Sequence, residues 1–173
     1  MRSAEDLEVF IAERGDHLIR TAVLLAGGRE AGEDLLQAAL ERLLPRWRRL
    51  EGDPEAYLRR TLANLATDGH RRSGRWRRRL PLLRASVPLA SDPIAEVDLR
   101  DEVVRWLLEL PPRQRVVLVL RFWAQLSEAE TAAALGWPQG TVKSASARGL
   151  RRLRDLAESH DVREGMTGNA HRP

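Results

Sequence analysis

Apolar residues recur at helical spacing along almost the whole chain, and strand-like alternation is absent. That restricts the fold to helices packed on helices. Leu7, Phe10, Ile11, Leu18, Ala22 and Leu25 make one stripe, which stops at Gly27-Gly28. Leu35, Leu36, Ala39, Leu40 and Leu43 make a second, ending near Pro45. Pro54 suits a first helical position, and Leu58, Leu62 and Leu65 continue a third helix towards an arginine cluster. Three such stripes can bury a common core.

Downstream, Pro81, Pro88 and Pro93 interrupt a stretch without sustained period, which reads as a linker. Periodicity returns at Leu99, Val103, Trp106, Leu107 and Leu110. Pro111-Pro112 stops that helix, and Arg113 to Trp123 predicts another. Ser127-Glu128-Ala129-Glu130 has the form of a capping box opening a helix that ends at Gly136. A last helix is expected from about Pro138–Thr141 to Glu158. The sequence therefore predicts an all-α protein of two small helical domains, over 1–80 and 98–158. A flexible linker over 81–97 joins them, and a disordered polar tail follows over 159–173.

The net charge is only +4, but its placement is uneven. Arg59 to Arg84 holds nine arginines and one acid, Asp68; Ala85 to Pro112 holds six acids and two arginines. Thr141 to Arg154 holds five cations and no acid. Two basic blocks with an acidic join suit two contacts on a polyanion. All but one of the 29 basic residues are arginine, Lys143 being the exception; a GC-rich genome would produce the same ratio, so the ratio decides nothing. The absence of cysteine excludes disulfides and thiolate sites. The N-terminus lacks the apolar run of a signal peptide, and no apolar stretch reaches the ~18 residues of a membrane span, so a cytoplasmic protein is expected.

The most informative constellation flanks Gly136. A capped helix of about eight residues, a glycine turn and a longer basic helix form a helix-turn-helix pattern. In the second helix Val142, Ser146, Gly149, Leu150 and Leu153 are expected to face inward, with small residues at 146 and 149 allowing close packing. Thr141, Lys143, Ser144, Ala147, Arg148 and Arg151 are left outside, where they can meet phosphates and base edges. The competing reading is a basic surface helix on a bundle.

Tyr57, Asn64, Trp76 and the surrounding arginines combine planar groups with cations, as a single nucleic-acid strand requires. A solvated arginine face with Tyr57 in the core is the alternative there. Glu33-Asp34-Leu35-Leu36-Gln37 places polar groups on an otherwise apolar helix, either as a solvated face or as a docking surface for a basic partner. His17, His70, His160 and His171 are scattered, and Gly27-Gly28 lacks the lysine of a phosphate loop. No active site, cofactor, metal site or small-molecule substrate is expected.

These residues resemble the extracytoplasmic-function sigma factors, the smallest class of bacterial sigma factors, in an actinobacterial-type branch. A-G-E-D-L-L-Q-A-A-L-E-R-L is similar to their polymerase-binding region 2.2, and P-E-A-Y-L-R-R-T-L-A-N-L-A-T-D-G-H-R-R to regions 2.3 and 2.4. L-P-P-R-Q-R-V-V-L-V-L-R-F with L-S-E-A-E-T-A-A-A-L-G-W-P-Q-G-T-V-K-S is similar to region 4. The likeness runs over about residues 5 to 156. It implies region 2 over 1–80 and region 4 over 98–158, with a non-enzymatic role in promoter-specific initiation.

The resemblance also implies roles. Asp34, Gln37 and Leu40 would dock on the β′ clamp helices of core RNA polymerase, with the β flap as a further contact. Asn64 would help capture a flipped base at the −10 element, with Arg59, Arg60, Arg71 and Arg72 on the backbone around it. Lys143, Ser144, Ala147 and Arg148 would face the −35 element. An anti-sigma factor is a partner that the family leaves open, and no membrane contact is implied. A stand-alone helix-turn-helix regulator is the alternative, and a purely protein-binding adaptor a third. Four positions depart from the family pattern: Gly32 for an alanine, Pro138 for a Ser or Thr cap, and Ala145 and Ala147 for larger residues. A weaker second helix and fewer base contacts are the expected consequences.

Overall fold

A computed structural model describes residues 2–68 and 102–168, with side chains over 2–68 and 104–159. The expected linker over 81–97, Arg71, Arg72, Trp76, and Leu99 and the Val103 side chain of the fourth stripe lie outside them. Every regular element among the described residues is helical.

Helix α1 (Ala4–Ala26) opens on a capping box: the Asp6 backbone N–H donates to Ser3 Oγ, while the Ser3 N–H donates to the Asp6 carboxylate at 2.7 Å. That backbone bond, and then the hydroxyl, hold the Asp6 pKa below the ordinary value. Gly27, at φ 93°, ends α1 in the left-handed region, and α2 (Arg29–Leu43) folds back along it. Gly32 lies where these two helices cross. A Cβ there would stand 2.6 Å from Val23 Cγ2, 2.7 Å from Val23 Cα and 2.8 Å from Val23 N, so only glycine permits the approach. The departure at Gly32 is therefore a packing requirement as well as a weakness of the helix.

A 3-10 turn over Leu44–Arg49 follows, then α3 (Pro54–Asp68). Asp53 starts α3 by accepting from the N–H groups of Glu55 and Ala56, and Pro54 occupies the first helical position as expected. Leu18, Val23, Leu43, Leu58 and Leu62 are sealed inside the three-helix assembly.

In the second half, α4 (Glu102–Glu109) buries Val104 and leads through buried Leu110 to α5 (Pro112–Leu118). The helix expected over Arg113–Trp123 is not α-helical throughout. From Val119 to Trp123 it widens into a π-turn, in which the Ala124 N–H reaches the Val119 carbonyl at 2.9 Å. The extra residue in that turn carries Phe122 and Trp123 out of the core that Val116, Val117, Val119 and Leu120 fill.

Helices α6 (Glu128–Leu135) and α7 (Gln139–Gly168) complete the described residues. The helix thus continues past Glu158, against the expectation of a disordered tail from residue 159. No glycine or proline interrupts residues 150–164, so a helix already formed propagates without a new nucleation step. The α7 face also differs from expectation: Ala145 is buried and Leu150 is exposed. Taking Val142 as the centre, 100° per residue puts Ala145 60° to one side and Leu150 80° to the other. Helix α5 covers the first side, where Gly149 lies with its Cβ position 3.0 Å from Leu118 Cδ1. The small residues at 146 and 149 serve the close packing that was expected of them.

Candidate nucleic-acid interface

The turn between α6 and α7 is built by local chemistry. Ser127 Oγ accepts from the Glu130 N–H, and the Glu130 carboxylate accepts from the Ser127 N–H at 2.8 Å. The hydroxyl and then the backbone N–H depress the Glu130 pKa, so the cap stays charged. At the far end Gly136 adopts φ 64°, and the Trp137 N–H returns to the Ala132 carbonyl at 3.0 Å. Pro138 gives α7 no side-chain cap. Its carbonyl instead accepts from the Thr141 and Val142 N–H groups. The first N–H groups of α7 are therefore left without a side-chain acceptor in a region that is open to solvent.

Thr141, Lys143, Ser144, Ala147, Arg148 and Arg151 are all exposed along one side of α7. Ser144 Oγ donates to the Thr141 carbonyl at 3.0 Å, and Arg148 Nη2 reaches Ser144 Oγ at 3.5 Å. Among the described residues no carboxylate lies within ion-pair distance of Lys143, Arg148 or Arg151. Ala145 cannot belong to this surface, because it is buried. The result is a cationic strip at the start of a helix, free to meet an anion without breaking an existing pair.

The first basic face is different. Arg60 is exposed and Asn64 partly so, on the open side of α3. Arg59, grouped with them by sequence, points elsewhere. Its Nη1 pairs with Glu55 Oε1 at 2.8 Å, its Nη2 lies 3.8 Å from Asp53 Oδ2, and only 18% of the side chain is exposed. Arg14 closes on Glu55 from α1 at 3.6 Å. The structure therefore brings Arg60 and Asn64 together and separates Arg59 from them.

Sequence reading passed over the 3-10 turn. Trp47 is buried there, its Nε1 donating to the Ser3 carbonyl at 2.6 Å, its ring 5.6 Å from Phe10 and 5.4 Å from the Arg2 guanidinium. With Trp47 held inside, Arg46, Arg48 and Arg49 are turned outward beside the start of α3. Arg46 Nη1 donates to the Tyr57 hydroxyl at 2.7 Å. The signal was P-R-W-R-R, an aromatic among arginines, the same signal that drew attention to Tyr57 and Trp76.

Asp34, Gln37 and Leu40 are partly exposed on α2, each 60° on from the last, and Leu40 also packs against the core. Among the described residues no group of three His, Asp or Glu side chains could hold a metal ion, and no helix is long and apolar enough to cross a membrane.

A capped helix-turn-helix with a free cationic strip, joined to a second basic helical unit, defines a nucleic-acid-binding protein of two helical parts. Comparison with known proteins narrows this. The sigma-70 region 2 family matches residues 10–77, and sigma-70, region 4 matches residues 100–153. The RNA polymerase sigma-E factor of Streptomyces avermitilis is 39% identical over 166 residues, 91% of this chain and 88% of that protein. The ECF RNA polymerase sigma factor SigE of Mycolicibacterium smegmatis is 34% identical over 157 residues, 87% of this chain and 61% of that protein. The chain belongs to the RNA polymerase sigma factors of the extracytoplasmic-function group. Its fold is similar to that of the sigma factor RpoE of Bartonella quintana, solved with the anti-sigma factor NepR. The TM-score is 0.67 at 23% identity, over 90% of this chain and 98% of that one.

Proposed function

We propose that this sigma factor binds core RNA polymerase through the Asp34, Gln37 and Leu40 face of α2 and reads promoters with two separate surfaces. In this reading residues 1–80 act as region 2 and residues 98–158 as region 4. Arg60 and Asn64, with Arg71 and Arg72, engage the −10 element, where the Asn64 amide can bond the edge of a base drawn out of the stack. Thr141, Lys143, Ser144, Ala147, Arg148 and Arg151 lie over the −35 element, with base contacts near the start of α7 and phosphate contacts further along. Arg59 shapes the first surface through Glu55 and Asp53 rather than touching DNA. The β′ clamp helices and the β flap are the expected polymerase contacts.

The factor acts in the cytoplasm and carries out no chemistry of its own; nucleotide transfer belongs to the polymerase. An anti-sigma factor, such as the one solved with the Bartonella quintana protein, is a further expected partner. The observation that carries this reading is the exposed cationic strip on α7, without an ion-pair partner among the described residues, next to a capped turn. Run-off transcription with purified core polymerase on genomic promoter fragments tests it. A stoichiometric complex and defined start sites are expected. Failure to form that complex at micromolar protein overturns it.

A further inference from the structure

The open side of α3 does not stop where the helix begins. Taking Tyr57 as the origin, 100° per residue puts Asn64 about 20° and Arg60 about 60° to one side of it, with Arg59 about 160° away. Leu58, Leu62 and Leu65 fall about 80–140° to the other side, which is the buried one. Tyr57, Arg60 and Asn64 therefore share one line, about 10 Å long at 1.5 Å per residue. Tyr57 stands at its N-terminal end, the ring packed against the core and the hydroxyl exposed.

That hydroxyl joins the line to the 3-10 turn. It accepts from Arg46 Nη1 at 2.7 Å and donates to the Arg42 carbonyl at 3.4 Å. Buried Trp47 pins the turn from the other side, so Arg46 is held at both ends. The other two arginines of the turn go elsewhere. Arg48 and Arg49 border a recess on the α1 side with Arg2 and Leu50, where Asp6 and Glu51 offset the cations. The acids that begin α3 do not reach Arg46 either. Glu55 is shared by Arg59 and Arg14, and Asp53 lies 3.8 Å from Arg59. Among the described residues no carboxylate lies within ion-pair distance of Arg46 or Arg60.

We propose that Arg46 is a further strand-binding residue, with Tyr57 as its positioning residue. It takes a phosphate of the nontemplate strand on the downstream side of the base that Asn64 captures. This role rests on the promoter reading above and extends it beyond α3. The direction follows from chain order: past Asp68 the sequence leads to the −35 half, which lies upstream, so the turn at the other end of α3 lies downstream. The bond to Tyr57 uses one of the five N–H donors of the guanidinium and leaves the others for a phosphate. Holding the side chain beforehand also reduces the conformational entropy lost on binding. The 10 Å from Asn64 to Tyr57 corresponds to about three nucleotides at the 3.4 Å spacing of a stacked strand, and to fewer in a stretched one.

The test uses holoenzyme formed from core polymerase and the full chain. It is titrated with fork-junction DNA from a promoter mapped by run-off transcription, the nontemplate overhang lengthened one nucleotide at a time. Wild type is expected to gain affinity in two steps. Asn64→Ala loses the first, which marks the captured base. Arg46→Ala keeps the first and loses the second, about one to three nucleotides further downstream. Its affinity for the longest overhang falls by roughly 2- to 10-fold. The slope of log affinity against log salt on that probe becomes shallower by about 0.7, the value of one phosphate of a single strand. Arg46→Lys, which keeps the charge, restores the slope. Tyr57→Phe keeps the ring and weakens only the second step, whereas a purely structural hydroxyl would move both steps or neither. Arg49→Ala makes the same charge change on the same turn and leaves both steps as in wild type. Circular dichroism and native-gel complexes with core polymerase establish that each variant is folded and docked. A second step retained in Arg46→Ala, or an equal loss in Arg49→Ala, overturns the role of Arg46. So does an equal loss on the overhang that ends at the captured base. A second step unchanged in Tyr57→Phe removes Tyr57 from the positioning role. If no overhang length responds to Asn64→Ala, the −10 reading falls. The difference in salt slope between Arg46→Ala and Arg49→Ala still decides whether the turn binds the strand.

Discussion

The two basic faces contain the same residue type and offer opposite availability. On α7, Lys143, Arg148 and Arg151 stand in solvent with no carboxylate within ion-pair distance among the described residues. On α3, Arg59 is drawn into Glu55 and Asp53, the residues that begin that same helix. Acids are favoured in the first turn of a helix, so an arginine four residues after Glu55 finds a partner before it finds DNA. At α7 the first turn holds no acid. A polyanion therefore meets a prepared surface on one half and a partly neutralised one on the other. Counts of arginine do not reveal that difference.

The halves also differ in how closely glycine lets their helices approach, and the largest expected effect is there. Gly32→Ala sets a methyl against the Val23 backbone, which cannot swing aside. A loss of about 2–3 kcal/mol is expected in urea denaturation, after allowing for the better helix propensity of alanine. Gly149→Ala meets side-chain atoms only, Leu118 Cδ1 at 3.0 Å and Cγ at 3.2 Å and Gln114 Cβ at 3.4 Å, none closer than 3.0 Å, so its change should stay within about 1 kcal/mol. Equal losses at the two sites would erase the contrast.

The next effect in size concerns base reading. Arg148→Ala should cost the favoured −35 sequence about 1–3 kcal/mol and relax preference at that position, measured as holoenzyme affinity for single-base variants. A loss that is uniform across the variants would make Arg148 a phosphate clamp.

Smaller changes should appear in the salt dependence. Arg151→Ala should make the slope of log affinity against log salt shallower by about one phosphate contact. Arg59→Ala should leave that slope unchanged, because its charge is already taken up within the protein, while lowering the melting temperature. A shallower slope for Arg59→Ala would show that the two faces are alike after all.

The smallest effect is with pH. Burial, then the positive charges of Arg59 from α3 and of Arg20 and Arg14 from α1, depress the His17 pKa; Glu55 opposes them. Well above about pH 6.5 both folded and unfolded chains hold His17 neutral, and stability is unaffected. As pH falls below that value, the unfolded chain takes up a proton that the folded form resists, so stability is lost. A lower melting temperature at pH 5.5 than at pH 7.5, with a smaller drop in His17→Gln, is the expected outcome. A drop of the same size in His17→Gln would assign the effect to another group.

Much of the architecture was legible because it depends on short-range chemistry. The stop at Gly27, the start at Pro54, the Ser127–Glu130 box and the turn at Gly136 are all decided within four or five residues. So is the outward line from Thr141 to Arg151, which follows from period alone. The departures came where a neighbouring helix decides. Ala145 and Leu150 flank the same stripe, and only the placement of the helices packed on α7 determines which of them is covered. Arg59 and Arg60 are adjacent in sequence, but they leave α3 100° apart, one towards acids and one towards solvent.

The sequence by itself determined the helices, their caps and turns, the family and the cationic strip of α7, because each is written in residues close enough to interact along the chain. The tertiary structure alone decided why position 32 is glycine, where the π-turn sends Trp123, and that Thr21 and His17, 102 and 106 residues away, receive it. Contacts of that range depend on how whole helices settle against one another to fill space without voids or clashes, and no local pattern encodes that arrangement.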